Sequence, residues 1–556
     1  MRKLLAVLLL TVPALAATPP AIFFTDLTSA PNTGGENSAG AYVTIYGNNF
    51  GTSPTVTWNS LSCVNVITVG GNQVNTWLWY QKIVVQLTSS CTAGTGNFVV
   101  AAGGQNSNGY SFTARSSGNI YCVSTSGNNS NNGHFPSSCW ATILNAKNTI
   151  AAGDIAYVEN GVAQTTEDNY SAALVFSGAG TAANPKALVV YPGASATIGS
   201  TSLDTAVRAT SINGAVNYWV IAGFYMPASN TSINLSDGSY SGSDHFWFIA
   251  DESSCPNGNG STACVTGNFM LWTWMYGDYV HDAGVAPSAI KTYHAVYFSS
   301  NYDHVWIGWN HIGPNTHACR GVQFFSTGGS DQYDLHVHDN VIHDMLCDGI
   351  NFATVVPSTA IVEAYNNLIY HAGMGAPSDD GAPPHDCIRA AATGASPLLI
   401  YNNTMYDCGP YTADGSQSGI QTQGATQLNN NILWILSGAP YFNATGACTS
   451  VTGSNNLWFG SGSPPCSGTL GTLNVNPQLS SPSDSPNYQT SFVPSSQSSP
   501  VVGAGTATLT ATYDILGLIR PNPPSIGAYE FTSGAGAVMD AGAQGPVAMQ
   551  GAATVQ

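Results

Sequence analysis

The chain has 556 residues, of which only 7% are charged, and 29 acidic against 11 basic residues leave a formal net charge of -18. So few cations exclude a general nucleic-acid or membrane-surface binder, and the length allows two or three domains with a large core. Twelve cysteines without a C-x-x-C spacing point to disulfides rather than thiolate metal ligands. Nearest-neighbour pairing gives Cys63–Cys91, Cys122–Cys139, Cys255–Cys264, Cys319–Cys347, Cys387–Cys408 and Cys448–Cys466.

Residues 1–16 combine Met-Arg-Lys, the apolar run LLAVLLLTVPALA and the small-residue site Ala14-Leu15-Ala16. These are the three parts of a secretory signal peptide, so the expected localisation is extracellular, as a soluble protein and a monomer. Residues 20–115 alternate apolar and polar positions between Gly/Asn turns, as in a small β-sandwich. Their segments AYVTIYGNNFG (41–51), WLWYQKIVVQL (77–87) and GNFVVAAGGQNSNGYSF (96–112) resemble an IPT/TIG immunoglobulin-like domain, which implies a spacer or binding module.

From Ile120 the character changes. Trp140, Ile143, Leu144, Ala146 and Ile150 recur at helical spacing, predicting an amphipathic helix that ends at Gly153 and caps an open β core. Between about 275 and 435 a motif then returns roughly every thirty residues, the period of a stacked solenoid. Asn310, Asn340, Asn367, Asn403 and Asn431 share one register, with Ile312, Ile342, Ile369, Met405 and Leu433 two residues later and Asp278 in the same slot one turn earlier. One amide per turn over an apolar column reads as an asparagine ladder along the axis. A second strand in each turn puts Val296, Val322, Ile350, Ile388 and Ile420 inward and predicts Tyr297, Gln323, Asn351, Arg389 and Gln421 facing solvent. The expected fold is therefore all-β: an N-terminal β-sandwich followed over 120–531 by a right-handed parallel β-helix. The Gly/Ala-rich 532–556 reads as a disordered tail.

The opening IYCVSTSGNNSNNG, the CWATIL helix, the AGDIAYV strand and the closing NPQL, SSPVVGAGT and IGAYEF resemble secreted proteins of the pectate-lyase-like β-helix group. Asn129 stands where that group often has Asp. The resemblance covers about 120–531 and implies action on an extracellular polysaccharide, with lyases, hydrolases, epimerases and binding proteins all within the group.

Ten of the twelve histidines lie between 281 and 385, beside Lys291, Arg320 and Arg389. The repeating VHDAG, IHDML and YHAGM read as turns, and His336-x-His338 as outward neighbours on one strand. The residues opening the second strand of each turn, His294, Arg320, Asp348, Asp386 and Ser418, should stack at one corner about 4.8 Å apart, joined by His385 and Arg389. Bases, cations and carboxylates in such a line suit sugar chemistry. The favoured reaction is β-elimination on a uronic-acid glycan, with Arg320 or Arg389 neutralising the carboxylate and His294, His385 or Lys291 as base. Asp348 and Asp386 would hold the sugar or a calcium ion; no metal ligands are fixed by spacing. Lys291, Tyr297, Gln323, Asn351 and Gln421 are the expected substrate contacts. The pair DGI (348–350) and HDCI (385–388) also resembles the stacked acids of polygalacturonases, and PPHDC (383–387) the PHD of alginate epimerases. A non-catalytic alternative is a glycan binder that stacks sugars on exposed Trp272, Trp274, Trp306 and Trp309.

Overall fold

The computed structural model describes residues 18–70, 77–211, 214–237, 242–285, 292–315, 317–326, 332–375, 385–409, 418–436, 438–444, 448–462 and 470–531. The leader, the Gly/Ala-rich tail, Lys291 and Cys466 fall outside them.

Residues 21–115 form two packed sheets. One orders the strands Ala21–Thr25, Tyr42–Asn48, Gln81–Leu87 and Val64–Val69; the other runs Ser29–Pro31, Tyr110–Arg115, Gly94–Ala102 and Thr55–Trp58. Val43, Ile45, Ile83 and Val85 fill the space between the sheets with Phe98, Val100 and Phe112. Tyr42 and Tyr46, on the opposite face of their strand, are buried as well. The sandwich lies there against the solenoid: the Tyr157 hydroxyl donates to Tyr42 O at 2.6 Å, and the Tyr80 hydroxyl to Trp309 O at 3.0 Å.

The solenoid is built of three parallel sheets, two of twelve strands and one of ten among the described residues. We call them first, second and third in the order each turn visits them. Val296, Val322, Ile350, Ile388 and Ile420 of the third sheet pair in register and are wholly buried, as the alternation predicts. The asparagine ladder forms between the first and second sheets. Nδ2 of Asn310, Asn340, Asn367 and Asn403 donates to Oδ1 of the next rung at 2.9–3.0 Å, and each rung also accepts the backbone N–H of the rung before. Asn456 extends it at one end, and Asp278 and Asp251 at the other.

The capping helix is shorter than expected, Ile143–Thr149. Thr142 is extended and caps it, its hydroxyl accepting the Asn145 N–H at 3.2 Å, while Trp140 instead bridges to Val123. Asn129 accepts the N–H groups of Ala141 and Thr142, a structural role. Five disulfides match the nearest-neighbour pairing, from Cys63–Cys91 to Cys387–Cys408; the sixth proposed partner, Cys466, is outside the described residues. They fit an oxidising compartment. No described helix is long and apolar enough to cross a membrane.

After Leu473 the chain runs along the solenoid's outside. Arg520 pairs with Glu530 at 2.8 Å and donates to Asn366 Oδ1 at 2.8 Å, and Gln489 reaches Trp79 O at 2.6 Å, so this segment joins sandwich and solenoid in one apolar cluster. The expected aromatic platform is not exposed. Trp247, Trp274 and Trp306 stack on one another 4.6 and 5.0 Å apart, and Trp274, Trp306 and Trp309 are at most 8% exposed. A parallel-stacked ladder covers the ring faces that a sugar would need. Trp272 remains partly open, but it too is stacked, against His245 and His304.

Candidate functional site

Every residue of the expected corner column falls on consecutive turns where the third-sheet strands begin. Ala295 N donates to Arg320 O, Gly321 N to Asp348 O and Gly349 N to Asp386 O at 2.9–3.0 Å, while Asp386 pairs with Ser418. Glycine follows Arg320 and Asp348 because that position points into the core. A Cβ on Gly349 would lie 2.7 Å from Ile369 Cγ2, and one on Gly321 2.8 Å from Ile342 Cγ2. Gly349 has no positive φ, so Asp348-Gly349 belongs to the packed start of a strand rather than to a turn.

The corner differs from expectation in its burial. His294 is 2% exposed, Arg320 8%, and Asp348, Asp386, Ser418 and His385 are sealed, so the column is a buried polar seam rather than an open groove. Of the outward column, Tyr297 and Arg389 are partly exposed, whereas Gln323, Asn351 and Gln421 are buried. These five side chains pair in register, and Asn351 Nδ2 donates to Gln323 Oε1 at 3.4 Å. Alternation identifies the outside of the solenoid but not what covers it.

The two carboxyls differ in environment. Arg320 Nε donates to Asp348 Oδ2 at 2.7 Å, and the Asp386 N–H donates to Asp348 Oδ1 at 3.1 Å. Asp386 Oδ1 accepts both the N–H and the hydroxyl of Ser418, at 2.8 and 2.6 Å, while its Oδ2 is buried without a partner. Burial, and then the adjacent charge of Asp348, push the Asp386 carboxyl well above the usual carboxylate range, against the opposing pull of Ser418 and Arg389. Of the two carboxyls, Asp386 is the one that burial biases toward its protonated form, beside an arginine-paired Asp348. Burial and the Arg320 charge likewise hold His294 well below the ordinary imidazole value; its Nδ1 is unpartnered and its ring meets Tyr297 edge-on at 5.2 Å.

Asp251 and Asp278 provide a comparison. They too accept backbone N–H groups through Oδ1, leave Oδ2 buried and unpartnered, and are pushed upward by burial. Accepting a backbone N–H is therefore the structural part of the Asp386 role. The Arg320–Asp348 pair and the neighbouring Arg389 are what the ladder acids lack.

Calcium does not fit the corner as it is arranged. Both oxygens of Asp348 already accept N–H groups, one from a guanidinium, and Asp386 Oδ1 is taken up by Ser418, whereas calcium needs several free anionic or carbonyl oxygens. Among the described residues, the one convergence of three His, Cys, Asp or Glu ligand atoms is Cys122, Cys139 and Glu159, where both sulfurs form a disulfide. His336 and His338 do not share a ligand point. His336 lies between Glu363 and Asp334 at 2.7 and 3.0 Å, and His338 is buried against Asp339 at 2.9 Å. The VHD and IHD repeats are turns, with Asp282 and Asp344 at φ 48° and 54° bonding their preceding histidines. Asp251, the Asn456 rung and the contacts of the second-sheet histidines with Tyr488 and Asp484 were missed. Phe-Ile-Ala-Asp and Ser-Asn-Asn-Leu do carry the ladder spacing, but no sequence period reaches the C-terminal segment.

Residues 26–114 match the IPT/TIG domain model. No curated protein matches the chain. Among solved structures, an alginate lyase from Paenibacillus sp. str. FPU-7 is similar at 14% identity and TM-score 0.35, covering 60% of this chain and 96% of its own. A pectate lyase, Pel9A, is similar at 14% identity and TM-score 0.40, covering 74% and 96%. XylC, in complex with xylose, is similar at 9% identity and TM-score 0.44, covering 74% and 98%. The molecule is a parallel β-helix protein. More particularly, it carries an IPT/TIG domain packed along the outside of its solenoid.

Proposed function

We propose that the protein is a secreted enzyme that cleaves a uronate-containing extracellular polysaccharide at the third-sheet corner, by hydrolysis. The observation that carries this reading is the pair of unequal carboxyls. Ser418 supplies two donors to Asp386 Oδ1, so the proton of Asp386 sits on Oδ2, available to a glycosidic oxygen as a general acid. Asp348, one turn away and fixed by Arg320, supplies the negative charge that a developing oxocarbenium ion needs. The Asp386 proton is sealed from water, so the proposed cleavage requires the side chains covering it to part when a sugar binds. Arg389, half-buried and without a described ion-pair partner, lies between Asn351 and Gln421 and suits a uronate carboxylate.

Elimination is the second reading, favoured by the neutral His294 with its unpartnered Nδ1 beside Arg320. His294 and Arg389 are three turns apart, about 14 Å at the strand spacing, too far to serve one sugar ring. The base and neutraliser would therefore be His294 and Arg320. Incubation with a panel of polyuronates, following reducing ends and absorbance at about 235 nm, tests both readings. New reducing ends without absorbance support hydrolysis, absorbance supports elimination, and neither product refutes an enzyme of this substrate class. Activity is expected to survive chelation of calcium.

A further inference from the structure

The outer edge of the second sheet carries a column of charge that the proposed cleavage leaves unused. His343, Tyr370 and Tyr406 pair in register on three consecutive turns, and the residues after them, Asp344, His371 and Asp407, all take a left-handed conformation, at φ 54°, 50° and 50°. A histidine therefore stands between aspartates of the turns on either side. Its Nδ1 lies 3.2 Å from Asp344 Oδ1 and its Nε2 3.6 Å from Asp407 Oδ2. A third carboxylate comes from the C-terminal segment, where Asp484 Oδ1 is 2.9 Å from the same Nε2. His371 is buried at 8% exposure, whereas the Asp484 side chain is 72% exposed. An imidazole whose two nitrogens both meet carboxylates donates to both only as the imidazolium.

The same segment is held again at Tyr488. Asp344 Oδ2 lies 2.7 Å from His343 Nδ1, and His343 Nε2 lies 2.7 Å from His311 Nε2. The Tyr488 hydroxyl is 3.3 Å from that atom of His311 and 3.1 Å from the Tyr370 hydroxyl. Phe492 is sealed beside Tyr370 and Tyr406, with ring centroids 6.3 and 5.6 Å away. We propose that His371 is a proton-operated latch on the segment 484–492, closed while the imidazole is charged and loosened when it is neutral. The groups facing it are Asp344, Asp407 and Asp484, with Tyr370, Tyr406 and Tyr488 alongside and the His343–His311 pair behind Asp344. Its hydrogen bond to Asp344, and then the charges of Asp484, Asp344 and Asp407, raise its pKa above the ordinary imidazole value against the opposing effect of burial. The stability that this charge contributes is therefore complete below about pH 6.5 and is lost as pH rises through the folded value. A neutral ring donates through one nitrogen only and leaves three carboxylates around it. Asp344 and Asp407 are fixed in their turns, so the exposed Asp484 is the one that withdraws.

The test is hydrogen exchange of the full-length protein at pH 6 and pH 9, expressed as protection factors so that the intrinsic pH dependence of exchange is removed. The Thr490 and Ser491 amides, which both donate to Asn487 O, report on the segment. In wild type their protection should fall about 10-fold from pH 6 to pH 9. His371→Gln does not titrate, so its protection should be the same at both pH values, and Asp484→Asn should lose most of the fall. Wild-type protection that stays level or rises with pH overturns the latch, as does a fall in His371→Gln equal to that of wild type. If His371→Gln fails to fold, Asp484→Asn, at an exposed side chain, decides: a fall as large as that of wild type there also overturns the proposal.

Discussion

Replacing Asp278 with asparagine should stabilise the solenoid, and by more at pH 8 than at pH 5. Asp278 occupies a rung of the ladder. Its Oδ1 accepts the Asp251 N–H at 2.8 Å, its own N–H donates to Asn310 Oδ1 at 2.7 Å, and its Oδ2 is buried without a partner. The asparagine rungs use that second atom as a donor. Asn310 Nδ2 reaches Met275 O, Asn340 Nδ2 reaches Ile307 O and Asn367 Nδ2 reaches Val337 O, in each case the carbonyl three residues ahead of the preceding rung. The same geometry offers an asparagine at 278 the Phe248 carbonyl, together with Asn310 Oδ1. An ionised Asp278 leaves that atom unpaired, whereas the neutral acid can donate its Oδ2 proton to the same carbonyl, so the amide gains about 1–3 kcal/mol only where the carboxyl is called on to ionise. The pH dependence follows from burial, which raises the Asp278 carboxyl well above its ordinary value. The folded chain then keeps a proton that the unfolded chain releases near pH 3.9, so the associated stability is present below that pH and is lost as pH rises through the folded value. Asparagine does not titrate. Thermal midpoints by circular dichroism at pH 5 and pH 8 should therefore show Asp278→Asn above wild type, with the wider gap at pH 8. A lower midpoint for the variant, or a gap that narrows with pH, would refute the ladder assignment of this carboxyl.

Asn340→Ala and Asn367→Ala should each lower stability by about 2–4 kcal/mol without specifically abolishing activity, because each removes a fully paired buried rung; unchanged urea midpoints would contradict this. Arg320→Ala should cost about 3–5 kcal/mol by leaving the sealed Asp348 charge without its guanidinium, and a variant that melts like wild type would show that the pair is not formed. Arg389→Ala should keep the wild-type melting transition, since its side chain is half-buried with no described ion pair, while KM for a polyuronate rises; an unchanged KM would remove Arg389 from the substrate site.

The fold was legible because the solenoid writes its register twice, once in the Asn310–Asn431 column and once in the Val296–Ile420 column. That register also brought His294, Arg320, Asp348, Asp386 and Ser418 correctly to one corner. Burial was not legible. Gln323 and Asn351 lie on the outer side of a strand, yet they are covered, and Trp274 and Trp306 lie beneath neighbours that no local pattern announces. The Asp348-Gly349 step shows the same boundary: a dipeptide common in turns is here set by the close approach of Ile369, a residue of the next turn. The unequal states of Asp348 and Asp386 depend on an arginine 28 residues away and on burial, so composition alone could identify the acids but not their roles.

The central claim is that Asp386 carries the proton delivered to the glycosidic bond. Asp386→Asn keeps an oxygen to accept from Ser418 but has no proton to transfer, so reducing-end release from the polyuronate that wild type cleaves should fall about 10²–10⁴-fold, with a melting midpoint no lower than that of wild type. A variant that stays folded and still cleaves at the wild-type rate would contradict the account.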